Sequence, residues 1–195
     1  MEDSELYELV LGRLGGCGPV LDVGCGSCGL AVFLASRTGR KVVGVDISGA
    51  GFAEARGRAL EAGVSHLVSF VRADARLLPG ADDSFCSAVC TYVCHEVGKP
   101  DLGLEGPTDA LREVHRVLRP GGRLLVVDFL KGHEGEEIWG ERFYTLPQLE
   151  SIVEAAGFED ISVEMAGGEK LAFISGTKGG GGNDVQGEGA EGSAA

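Results

Sequence analysis

The passage from residue 20 to residue 39 constrains the fold most. The apolar run Val20-Leu21-Asp22-Val23 leads into Gly24-Cys25-Gly26-Ser27-Cys28-Gly29, and a helical apolar pattern over residues 30–37 then stops at Gly39. A strand that opens through glycines into a helix lets a ligand lie against bare backbone at a helix N-terminus. The same rhythm repeats downstream. Residues 41–45 and 66–72 read as strands, 85–93 as a continuously apolar strand despite its cysteines, and 123–129 as a fifth. Between them, Ser48 is expected to cap a helix reaching Leu60, with Gly63 beyond it. Thr108 is expected to cap another, with Leu111, Val114, Val117 and Leu118 as its apolar stripe. Arg119-Pro120-Gly121-Gly122 reads as a turn.

Continuous apolar strands alternating with helices predict a parallel sheet covered on both faces. The last third breaks the rhythm. Thr145-Leu146-Pro147-Gln148 has the capping-box pattern and opens a helix ending at Gly157. Strands over 159–165 and 170–175 follow, and residues 166–169 between them are too few for a parallel crossover. The expected fold is α/β and Rossmann-like: a seven-stranded sheet, mostly parallel with a C-terminal antiparallel hairpin, helices on both faces. One domain is expected over residues 1–178, with 1–18 as a short N-terminal helix or lid carrying Leu6, Leu9, Val10 and Leu14 on one side. Residues 179–195, GGGGNDVQGEGAEGSAA, lack the apolar content to repay ordering and are expected to be a disordered tail.

Composition narrows the partners. The formal net charge is −13, with no Lys/Arg cluster, which disfavours nucleic acid. No apolar run approaches the roughly 20 residues of a membrane span, so no membrane association is expected. The acidic start has no basic region of the secretory kind, and a cytoplasmic protein is expected. Of the cysteines, Cys25 and Cys28 alone match CxxC, and no second pair stands at zinc spacing. No metal site is read, and the thiols are expected to be small buried hydrophobes.

Gly24, Gly26 and Gly29 spell GxGxxG, which by itself fits a nicotinamide dinucleotide. Asp22 argues otherwise, because an acid at the loop mouth repels a pyrophosphate and suits an ammonium. A nicotinamide-dependent oxidoreductase stays open as an alternative, as does a non-catalytic cofactor-binding subunit.

Asp22–Gly29, Val42–Ser48 and LREVHRVLRPGGRLLVVDF over Leu111–Phe129 together resemble the class I S-adenosylmethionine-dependent methyltransferases. The type 11 branch related to the quinone-biosynthesis enzymes is most similar, and the resemblance covers residues 20–178. It implies S-adenosyl-L-methionine as cofactor. Asp22 and the backbone of Gly24, Cys25 and Gly26 would hold the methionine part. Asp46 would bind the ribose hydroxyls and Ile47 would pack on the adenine. Asp74 would accept the adenine amino group beside the Ala75 amide, and Thr91 completes the cofactor shell. Two departures stand out. Cys28 occupies a position where the family has glycine, so Gly29 is expected to supply the flexibility one residue later or Cys28 to narrow the methionine end. Cys86 replaces an acid at the start of the fourth strand.

The implied reaction is methyl transfer to oxygen, carbon or sulfur of a small-molecule acceptor by in-line displacement. Tyr92 and His95, at the end of the fourth strand, are the candidate catalytic residues, His95 as a base or as an orienting group. Glu96, His133, Trp139 and Tyr144 are candidate pocket walls. The segment after Cys90 lacks the Asn/Asp-Pro-Pro-Tyr/Phe motif of the amino-nitrogen methylases, which argues against amide and nucleobase acceptors. Arsenite methylation is a narrower alternative raised by the cysteines, although Cys90 and Cys94 do not fall cleanly on its thiol pattern. The short lead-in before the first strand leaves the pocket open or closed by a second copy in a homodimer.

Overall fold

The apolar runs read as strands in the first two thirds of the chain are strands. The computed structural model describes residues 2–16, 18–166, 168 and 170–180; the expected tail lies outside them from residue 181 on. The parallel strands are β1 (Val20–Val23), β2 (Val42–Asp46), β3 (Val68–Arg72), β4 (Phe85–Thr91) and β5 (Leu118–Phe129). The terminal strands β6 (Phe158–Ala166) and β7 (Leu171–Lys178) are antiparallel, and the sheet order is β3-β2-β1-β4-β5-β7-β6. The Rossmann-like α/β expectation holds, including the C-terminal antiparallel pair. No helix among the described residues is long and apolar enough to cross a membrane.

Helices cover both faces. α1 (Asp3–Leu14), α2 (Gly29–Thr38) and α3 (Phe52–Glu61) pack on one, burying Leu6, Val10, Leu30, Leu34 and Phe52 with Val20, Val42 and Val89 of the strands. The short α4 (Cys94–Val97), α5 (Glu105–Val117) and α7 (Leu146–Ala155) belong to the other, where Leu111, Val114, Leu149 and Ile152 meet Leu21, Leu124 and Val126. A single turn, α6 (Gly135–Ile138), lies in the β5–α7 connection. The alternation of side chains along buried strands sends one set to each core.

Local chemistry explains several boundaries. α2 ends where Gly39 turns left-handed and its N–H reaches the Ala35 carbonyl. α7 begins on its capping box, with the Thr145 N–H donating to Gln148 Oε1 at 2.9 Å. Ser48 does not cap α3: its Oγ accepts from Ala50 N–H at 3.0 Å, a turn that delays the helix to Phe52. Thr108 lies inside α5, which starts at Glu105, and its hydroxyl donates to the Leu104 carbonyl. Leu118 already pairs with Phe85, and residues 119–122 then bow out before Arg123 pairs with Ser87. The fourth strand stops at Thr91, two residues earlier than its apolar pattern predicts, because Tyr92 is left-handed (φ 61°).

Ile152 is fully buried and Leu102 is exposed. Ile152→Ala is expected to lower unfolding free energy by about 2–5 kcal/mol, whereas Leu102→Ala stays within about 0.5 kcal/mol of wild type. Urea denaturation of both variants checks the contrast.

Candidate functional site

β1 connects to β2 on one side and pairs with β4 on the other, so the carboxyl ends of β1 and β4 form the switch point where such sheets bind ligands. A cavity of about 370 Å³ opens there, within the roughly 300–1,000 Å³ of small-molecule pockets. It is lined by Gly24, Asp46, Ile47, Asp74, Ala75, Tyr92 and Glu96 from the sequence expectation, together with Val45, Ala73, Arg76, Val93 and Val97. Asp22, Cys25, Gly26, Thr91 and His95 are not in its wall.

The glycine loop is clasped to the tip of β2. Asp46 Oδ2 accepts from Gly26 N–H at 2.9 Å, and its Oδ1 accepts from Ser48 N–H at 2.8 Å. The Cys25 N–H donates to the Val45 carbonyl at 3.0 Å. Gly24 is required twice over: its φ is +66°, and a Cβ there would lie 2.5 Å from Val93 Cγ2. Cys28 is itself left-handed, with φ 56°, so the flexibility expected of Gly29 is not what the loop uses. Gly29 instead begins α2, where a Cβ would meet the Tyr7 hydroxyl at 2.5 Å. Cys28 is buried, with its Sγ 2.8 Å from Cys25 Sγ.

The acids at the strand ends differ in state. Asp22 is 2% exposed. Burial pushes its carboxyl up to about 7 against the opposing Ala31 amide, and the Asp46 charge adds to the rise. Its Oδ2 and the Thr91 hydroxyl are buried without a hydrogen-bond partner among the described residues. Asp74 is held low by Arg76, whose guanidinium and amide both donate to it. Ile47 is 64% exposed at the cavity, an apolar side chain left open to stack.

Tyr92 is the aromatic residue of the lining, and the expected pocket walls His133 and Trp139 are not in it but lie in an aromatic cluster beyond Tyr92. Tyr92 stacks on Phe129 (centroids 4.6 Å apart), and Phe129 in turn meets His133, Trp139 and Phe143. Burial, with the Asp128 and Asp3 charges, pushes the Tyr92 hydroxyl up to about 12, so it is a neutral donor rather than a base near neutrality. Tyr144 is not a pocket wall: it is fully buried, and its hydroxyl donates to the Gly98 carbonyl at 2.7 Å. His95 stands behind Glu96, its side chain 5% exposed. Its Nδ1 is 2.5 Å from Asp128 Oδ1, and Asp128 is completely buried. Burial opposes the charged imidazole, but the Asp128 hydrogen bond and the Asp128, Glu141 and Glu96 charges outweigh it and raise the His95 pKa. Cys90 and Cys94 are buried, and burial drives both thiols upward, which leaves them protonated and unreactive.

A model of the methyltransferase domain matches residues 20–122. The chain belongs to the class I S-adenosylmethionine-dependent methyltransferase family. Among curated relatives, the methyltransferase GfsG of Streptomyces halstedii is 41% identical over 57% of the chain and 37% of its own length. A ubiquinone/menaquinone biosynthesis C-methyltransferase of Bartonella tribocorum is 33% identical over 71% of the chain and 50% of its own length. The chain therefore spans about half or less of these relatives. Among solved structures, the [4+2]-cyclase SpnF superposes with a TM-score of 0.78 at 27% identity, over 91% of this chain and 81% of that one. A geranyl diphosphate C-methyltransferase of Streptomyces coelicolor A3(2) superposes at 0.76 and 16% identity, over 90% and 76%, and shows likeness of fold. The nicotinamide and arsenite alternatives find no support in these likenesses.

Reasoning from sequence missed Asp128 and Glu141. Asp128 carries a signal, as an acid closing the apolar run Leu124-Leu125-Val126-Val127, whereas Glu141 sits in an irregular connection with none. Asp22 yields a pH prediction. Its folded pKa of about 7 exceeds the ordinary 3.8, so the folded state binds more protons between those values and stability falls as pH rises across them. In ligand-free protein, Asp22→Asn is expected to flatten that part of the stability–pH curve, measured by urea denaturation from acid to neutral pH.

Proposed function

We propose that the chain transfers a methyl group from S-adenosylmethionine to oxygen, carbon or sulfur of a small-molecule acceptor. The observation that carries the reading is the cavity at the switch point lined by Asp46 and Asp74, with Asp22 buried in β1 two residues before Gly24 of its wall. The orphaned Asp22 Oδ2 and Thr91 hydroxyl fit a ligand bearing an ammonium and further polar groups. The cofactor supplies an electrophilic methyl on a sulfonium sulfur. The chain supplies placement, which is most of what such a displacement needs.

Asp22 and the loop amides hold the amino-acid end in this reading. Asp46 keeps acceptor capacity beyond its two amide bonds and takes the ribose hydroxyls. Ile47 covers the adenine face, and Asp74 with the Ala75 amide takes its edge, Arg76 moving aside to share Asp74. Tyr92 and Glu96 border the acceptor side of the cavity. His95 acts at one remove, as a positioning residue behind Glu96 rather than as a base in contact with the acceptor.

Calorimetric titration tests the reading. The chain is expected to bind S-adenosylmethionine and its demethylated product and to ignore a nicotinamide dinucleotide. Asp46→Ala is expected to weaken cofactor binding by about 1.5–3 kcal/mol, roughly tenfold to a hundredfold. Binding of the dinucleotide alone, or an unchanged Asp46→Ala variant, overturns the assignment. A screen of small acceptors with methyl-labelled cofactor then defines the nucleophile.

A further inference from the structure

The sulfurs of Cys25 and Cys28 lie 2.8 Å apart in the glycine loop whose Gly24 lines the cavity, and methyl transfer uses neither of them. Their surroundings differ. Cys25 is half-buried, whereas Cys28 is 0% exposed at the head of α2. The Cys28 thiol donates to the Gly26 carbonyl at 3.7 Å, so between the two sulfurs Cys25 donates and Cys28 accepts. The backbone of Cys28 is left-handed, with φ 56° and ψ 23°, a conformation that glycine takes freely and a cysteine takes at a cost. A thiol kept at such a position, against the thiol three residues earlier, points to a use for the pair.

We propose that Cys25 and Cys28 are a modification site: a peroxide converts them to a reversible disulfide that loosens the glycine loop and weakens cofactor binding. The order of events follows from exposure. The Cys25 thiolate attacks one peroxide oxygen, the O–O bond breaks, and hydroxide leaves to take up the thiol proton as water. The Cys28 sulfur then attacks the Cys25 sulfenic acid, the S–S bond forms, the S–O bond breaks, and a second water leaves with the Cys28 proton. Two thiols lose two electrons and two protons, and the peroxide that takes them becomes two waters. Hydrogen peroxide suits the setting because it is small and neutral, whereas the Asp46 and Asp74 charges beside the loop repel an anionic disulfide. The Cys28 contact foremost, then burial and the Asp22 charge, push the Cys25 thiol up, so little thiolate is present at neutral pH and the oxidation is slow.

Closing the sulfurs from 2.8 Å to the about 2.05 Å of a disulfide falls to Cys25. Cys28 is anchored, because its carbonyl accepts from the Val32 N–H at 3.2 Å as α2 begins. The Cys25 sulfur rests on β2, where a Cβ on Gly44 would lie 2.9 Å from it. Bonding to Cys28 draws it off that strand. The two bonds that clasp the loop to β2 belong to the same short stretch: Cys25 N–H to the Val45 carbonyl, and Gly26 N–H to Asp46 Oδ2. The back of the loop has no room to yield, since a Cβ on Gly51 would lie 2.6 Å from the Gly26 carbonyl oxygen and 2.7 Å from Ser27 Cα. The displacement therefore falls on the clasp and shifts the loop amides that face the cofactor. That consequence rests on the methyltransferase reading, whereas the disulfide itself does not.

The test uses the full chain, reduced, desalted and then treated with hydrogen peroxide. Peptide mass spectrometry, with fragment ions that separate Cys17 in the same tryptic peptide, is expected to show a disulfide between Cys25 and Cys28. Cys28→Gly, which suits the left-handed turn, is expected to stop at a Cys25 sulfenic acid that dimedone traps. Calorimetry with S-adenosylhomocysteine is expected to show binding weakened roughly fivefold or more by oxidation and restored by dithiothreitol. Cys25→Ser, compared with its own untreated sample, is expected to keep its affinity through the same treatment. Absence of the Cys25–Cys28 disulfide from treated wild type overturns the site. A disulfide that leaves the affinity unchanged, or a Cys25→Ser protein that weakens as much as wild type, overturns its effect on the loop. Failure of reduced wild type to bind S-adenosylhomocysteine defeats the methyltransferase reading alone, because the disulfide is read by mass.

Discussion

A parallel strand cannot turn back into its neighbour, and that constraint organises everything else in the molecule. Each of the connections β1 to β2, β2 to β3 and β4 to β5 must cross a face of the sheet, so successive strands leave at the same edge. The strand ends thereby bring Asp22, Asp46, Asp74, Tyr92 and Asp128 to one side of the molecule although more than a hundred positions separate the first from the last. Helices on both faces supply the apolar cover that lets the short strands stay buried. The Asp46 clasp on the Gly26 amide then fixes how far the glycine loop stands from β2, and with it one wall of the cavity.

The edge so assembled is strongly acidic. In water such carboxylates would simply be solvated, but here several are held from it. Asp22 and Asp128 are buried, one with a raised pKa and one against an imidazole. Buried acids of this kind are stable when a proton, a cation or a donor satisfies them. Every candidate occupant of this edge is accordingly a cation or a donor: an ammonium and sulfonium at the β1 loop, hydroxyls at β2, an amino group after β3. SpnF, a cyclase, and a C-methyltransferase superpose on this chain about equally well, so the fold alone leaves the reaction to the groups in this acidic rim.

Much of this was legible in the residues. The strands and the capping box of α7 follow from apolar runs and a Thr-x-x-Gln pattern, because those signals are local. Ser48 and Thr108 misled for a local reason too: a hydroxyl can bond a turn or the preceding helical carbonyl as readily as a helix start. Tyr92 reads as part of a strand because its neighbours are apolar, and nothing in one-letter code announces a left-handed tyrosine. The acids at the ends of β1 and β2 and just after β3 were legible, since each follows an apolar run directly. The pairing of His95 with Asp128 was not, because it joins residues 33 positions apart across the β4–β5 ladder. Glu141 joins that group only through the path of an irregular connection, which no periodicity encodes.

The placement of β7 has a consequence for how the chain acquires its shape during synthesis. β7 is the last strand among the described residues and yet an interior one, seated between β5 and β6. β6 has no other partner in the sheet, so when it first emerges it has nothing to bond to. Until Leu171–Lys178 has left the ribosome, β5 presents an open edge and β6 an unpaired strand, both apt to capture another chain. The sheet is thus finished from the inside, and a nascent chain stalled just short of residue 171 would be the most adhesive form this molecule ever takes.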